Sequence, residues 1–180
     1  MLLMVSSWQN WLWRVLGYLL VTSFCFTVQA GDLVLASGMM AELNAVLKTS
    51  LSLHQALVAQ NEDQMELSLR DLLVELERAK SVSTAIKPHE RAHLVRILDA
   101  ARDSFAAMQS AFGEERKSDL VEGYNQLVNL ARIYRLNTAY GIFFCPKDKT
   151  TWIQRGNKAQ NPFGAEMSRE SCGIKVPSQR

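Results

Sequence analysis

Apolar residues recur three and four positions apart in four stretches of this chain, the spacing that gathers them on one face of an α-helix. The first stretch holds Leu43, Val46, Leu47, Leu51, His54, Leu57 and Val58, and the second Met65, Leu69, Leu72, Leu73, Leu76 and Ala79. The third holds Leu94, Ile97, Leu98, Ala101, Phe105, Met108 and Phe112, and the fourth Leu120, Tyr124, Leu127, Val128, Ala131 and Tyr134. No comparable stretch alternates with period two.

The breaks carry residues suited to helix ends. Asn61-Glu62-Asp63 separates the first two stretches, with Asn61 a side-chain cap for the helix that follows. Pro88 fits the first position of the third helix, where its missing N–H takes no bond from the helix. Gly113 reads as the residue that stops the third helix. Each helix would be about 20 residues and ~30 Å long. Short links between such helices require antiparallel neighbours. The expected fold is therefore all-α: an up-down-up-down four-helix bundle over residues 31–140. Residues 141–180, rich in Lys, Asn, Pro and Gly, are expected as an irregular C-terminal tail packed on the bundle through Trp152, Ile153 and Phe163.

Residues 1–30 follow another pattern. One early charge, Arg14, precedes an apolar run from Val15 to Val28 and a Val28-Gln29-Ala30 cleavage signature. This is the layout of a secretory signal peptide. The apolar core is shorter than the ~20 residues a membrane span needs. Phe24 before Cys25 is too large for a lipoprotein signal. The expected mature protein is periplasmic or secreted, with no stable membrane span after cleavage. Cleavage removes only Arg14 among the charges and leaves 19 basic and 18 acidic residues. That balance exerts no strong pull on nucleic acid.

Three sets of residues could carry chemistry. His89-Glu90-Arg91-Ala92-His93 matches the HExxH zinc signature, with Asp99 where some such enzymes place a third ligand. The motif starts immediately after Pro88, however, and Arg96 replaces the glycine of the extended motif. The reading adopted is a charged first helical turn, with zinc hydrolysis a remote alternative and no enzyme expected. His54 lies on an apolar stripe, as a core histidine satisfied by one hydrogen bond or as a ligand inside the bundle. The third set is the tail, where Cys145 and Cys172 survive signal cleavage. In an oxidising compartment such a pair reads as a disulfide. Alternatively, Cys145, Cys172 and the Met167 thioether form a soft set suited to copper as Cu(I), with His54 nearby. Both readings stay open.

The order Cys145-Pro146, Trp152-Ile153, Asn161-Pro162-Phe163-Gly164, Met167 and Cys172-Gly173 resembles the closing motif of a periplasmic helical-bundle domain. That domain is found beside or fused to membrane-fusion subunits of heavy-metal efflux pumps. Ala56-Leu57-Val58-Ala59, followed by Asn61 and Asp63, is similar to the end of a helix in the same family. The resemblance implies copper handling in the periplasm and an envelope or efflux-system partner. Lys147 stands where the family has methionine, and Met167 lies further from Cys172 than the family pattern has it. One aromatic of the Asn-Pro turn is also absent. These departures keep both cysteines and weaken the metal site, which moves the pair toward a structural role. The expected function is an exported accessory that handles copper or another soft metal through Cys145, Met167 and Cys172. The alternative is a disulfide-stapled structural or interaction module of the envelope with no metal.

Overall fold

The computed structural model describes residues 35, 37–136, 139–164 and 172–177. The expected signal segment, residues 1–30, and Met167 lie outside them. Four helices form: α1 Ser37–Ala59, α2 Glu62–Val82, α3 Pro88–Ala107 and α4 Gly113–Ile133, with a short 3₁₀ turn, Ser83–Ala85, after α2.

The link between α1 and α2 is two residues long because each residue serves a helix end. Gln60 takes a left-handed conformation (φ 54°). Its N–H donates to the Leu57 carbonyl, and the Asn61 N–H donates to the Ala56 carbonyl. These paired bonds close α1 in a Schellman motif. Asn61 then opens α2 by accepting the Gln64 N–H on its side chain at 3.0 Å. Lys87 precedes Pro88, which is the first residue of α3. Ion pairs report the helix directions. Arg78 of α2 meets Glu42 of α1, while Lys80 and Arg102 join α2 to α3 through Asp99 and Glu77. Position rises along one helix as it falls along the next, so these neighbours run antiparallel. Such exposed pairs contribute little energy. Burial of Leu43, Leu47, Leu72, Leu76, Leu94, Leu98 and Phe105 supplies the main driving force.

Two expectations need correction. Gly113 does not stop α3. That helix ends at Ala107, and residues 108–110 wind into a turn in which the Gln109 and Ser110 N–H groups reach back three residues. Gly113 instead opens α4 with φ 57°. Phe112, counted on the apolar stripe, is 82 % exposed because it lies beyond the last turn of α3.

The tail is not irregular, so the fold is mostly helical but not purely all-α. It carries an antiparallel sheet of β1 Gly141–Cys145, β2 Thr150–Gln154 and β3 Ile174–Val176, in the order β2-β1-β3. Phe143 pairs with Trp152 and Cys145 with Thr150 across β1 and β2. The expected anchors Trp152, Ile153 and Phe163 are all buried. Trp152 stacks on Phe143 with ring centres 5.9 Å apart and meets Phe163 edge-on. Phe163 meets Tyr124 of α4 edge-on, and Tyr124 meets Phe105 of α3 in the same way. A column of five aromatic rings thus runs from the sheet into the bundle, each edge or stacked pair adding about 0.5–1.5 kcal/mol beyond its area. Polar bonds tie the same layers. Tyr124 donates to the Ser50 carbonyl of α1 at 3.1 Å, and Thr151 of β2 donates to Asn125 of α4 at 2.7 Å. Among the described residues, no helix is long and apolar enough to cross a membrane.

Candidate functional site

The hairpin β1–β2 turns through Pro146-Lys147-Asp148-Lys149, with Lys149 in a left-handed conformation (φ 55°). This places Cys145 at the end of β1 and Asp148 at the tip. Cys172, at the approach to β3, meets Cys145 in a disulfide with Cα atoms 5.2 Å apart. Both cysteines are buried. The Asp148 backbone N–H points at the Cys145 sulfur at 3.3 Å. The Asp148 side chain accepts a bond from the fully buried Asn161 amide at 3.3 Å. Asn161 is itself fixed, because its oxygen accepts the Phe163 N–H at 2.9 Å. Ligand atoms of Cys145, Asp148 and Cys172 all lie within 4.8 Å of one another.

Beside this cluster, Gln154 organises the loop after β2. Its buried side-chain oxygen accepts the Trp152 indole N–H at 2.7 Å and the Gln160 N–H at 2.8 Å. Its amide nitrogen donates to the Lys158 carbonyl at 2.7 Å. Gly173 follows Cys172 because nothing larger fits. A Cβ there would sit 2.4 Å from the Ala159 Cβ and 3.0 Å from the Trp152 ring.

The residues expected at a metal centre divide. Cys145 and Cys172 come together, as a bridge. His54 does not join them in the converging group. Its Nε2 lies 2.9 Å from the Gln160 carbonyl oxygen. A carbonyl only accepts, so Nε2 carries the hydrogen. Burial lowers the His54 pKa below the ordinary histidine value, and the bond to Gln160 works in the opposite direction. The HExxH residues do not assemble either. His89 is largely exposed beside Glu90, His93 faces the Tyr134 hydroxyl at 3.3 Å, and Asp99 pairs with Lys80 at 2.6 Å. Among the described residues, no group of three potential ligands forms around them. Sequence reasoning missed Asp148. The signal was its place three residues after Cys145, in a turn that returns its backbone N–H to the sulfur.

A second concave feature lies at the bundle end where α1 gives way to α2. It is a cavity of about 300 Å³ whose lining includes Leu57, Met65, Met108, Gly113, Leu120 and Phe163, together with Arg116. Arg116 reaches the Met65 sulfur at 3.5 Å and Glu62 at 3.3 Å. Comparison with known protein families, curated proteins and solved structures returned no match to this chain.

Proposed function

We propose that the protein is an exported, disulfide-stapled helical module of the cell envelope that acts by docking a partner protein and has no catalytic centre of its own. One observation carries this reading: in the oxidised protein the described residues of the tail motif serve internal architecture. Cys145 and Cys172 form the bridge, Trp152 and Phe163 build the aromatic column, Asn161 holds the 161–163 turn, and Gly173 admits the Trp152 ring. A motif placed this way fixes the shape of a surface and leaves His54 on a backbone carbonyl.

The bundle end offers the docking surface. Its cavity is lined by Met65, Met108, Leu120 and Phe163 among others, and flexible thioethers adapt well to an inserted apolar side chain. Phe112, the residue before Gly113, stands exposed as a further apolar contact. The partner this surface fits is an envelope protein that presents an apolar side chain to the cavity, with an efflux-system subunit the class implied by the tail motif. A photo-crosslinking residue at position 112 should give one discrete adduct in the native compartment, and Leu120→Trp, which fills the cavity, should remove it. The same adducts from position 74 on α2, or an oxidised protein that unfolds when a chelator strips all metal, would contradict the reading.

A further inference from the structure

We infer that reduction of the Cys145–Cys172 bridge opens a site for a thiophilic divalent cation of the zinc type, with Cys145 Sγ, Cys172 Sγ and one Asp148 carboxylate oxygen as ligands. This goes beyond the docking role and does not depend on it. The three ligand atoms already lie within 4.8 Å of one another. Tetrahedral zinc, with ligands at 2.0–2.3 Å, holds neighbouring donor atoms about 3.3–3.8 Å apart. The sulfurs must part from their covalent contact, and the carboxylate must move in by about 1 Å. Asp148 sits exposed on a hairpin tip.

Two features prepare the site. The Asp148 N–H directed at the Cys145 sulfur at 3.3 Å holds the hairpin tip, and with it the Asp148 side chain, beside the bridge. The buried Asn161 amide holds one Asp148 oxygen and leaves the other available, as the outer partners of metal-bound carboxylates do. The fourth position is left for water.

The chemistry balances with a dithiol reductant. Its two thiols give up two hydrogens and become a disulfide, the protein S–S bond breaks, and two protein thiols form. The cation then displaces both thiol protons to solvent. The carboxylate shifts the donor preference. Two thiolates with a thioether select Cu(I), whereas two thiolates with a carboxylate suit Zn²⁺ or Cd²⁺. The oxidised protein has no such site, so the bridge gates metal uptake by redox state.

The test uses the full mature chain, reduced with dithiothreitol, desalted without oxygen and titrated with Cd²⁺ alone. The thiolate-to-cadmium charge-transfer band in the ultraviolet should saturate at one ion per chain. It should be absent from the oxidised protein and from Cys145→Ala/Cys172→Ala. Asp148→Asn should weaken binding tenfold or more, the range seen when groups around a metal site are removed. The far-ultraviolet helical signal is followed in the same samples. Failure of the reduced chain to take up cadmium overturns the proposal. So does equal affinity in Asp148→Asn, tighter retention of Cu(I) than of Zn²⁺ with no dependence on Asp148, or uptake only by a chain that has lost its helical signal.

Discussion

Replacing both bridge cysteines with alanine isolates the contribution of the staple. The bridge joins residues 27 apart in sequence. It therefore closes a loop of about 28 residues, and the closure entropy it removes from the unfolded chain corresponds to about 3.6 kcal/mol. Alanine avoids placing a buried hydroxyl at Cys145, which has no exposed surface, and the lost sulfur volume adds ~1 kcal/mol. The total, about 4–5 kcal/mol, corresponds to a fall of ~10–15 °C in the thermal midpoint of a domain of this size. Far-ultraviolet circular dichroism follows the transition, with urea unfolding as a second measure. The loss should fall on the sheet first, since β3 is held to β1 next to Cys172. A midpoint within ~3 °C of the native protein refutes the staple and with it the claim that the motif serves architecture.

Other perturbations test particular contacts. Gly173→Ala forces a methyl against Ala159 and the Trp152 ring and should cost about 1–3 kcal/mol in urea unfolding. Gly123→Ala should behave similarly, because its Cβ would lie 2.8 Å from the Phe105 ring. Tyr124→Phe removes the hydroxyl bond to the buried Ser50 carbonyl, which keeps its helical N–H partner, and should cost ~1 kcal/mol. Burial lowers the His54 pKa in the folded state, so the unfolded chain binds its proton first as pH falls. Stability from this residue is complete above the unfolded value of ~6.5 and declines as pH drops below it. Urea midpoints of the native protein should therefore fall between pH 7 and pH 5 more steeply than those of His54→Gln.

The helical half of the fold was legible because it depends on local rules. Asn61 caps α2 and Pro88 starts α3 as their chemistry dictates. Gly113 misled because a left-handed glycine between two helices fits either end, and the choice depended on how far α3 could run before its stripe left the core. The sheet was hidden for a different reason. Gly141-Ile142-Phe143-Phe144-Cys145 alternates in burial but not in polarity, since Ile142 and Phe144 are partly covered as well. Strands of five and three residues held by a disulfide and one aromatic column leave little periodic signal. At the candidate site, the cysteine pairing was readable as one of two outcomes, and His54 as a core histidine with one hydrogen bond. Asp148 was not readable, because its role depends on a hairpin turn and on Asn161, thirteen residues further along.

The thiol state of the protein in its own compartment bears most directly on the stapled fold. Cells are quenched with an alkylating reagent before lysis, and the protein is digested and analysed by mass spectrometry. A Cys145–Cys172 cross-linked peptide with no alkylated cysteine is the outcome the stapled module predicts. Alkylation of both cysteines in the native material would contradict it.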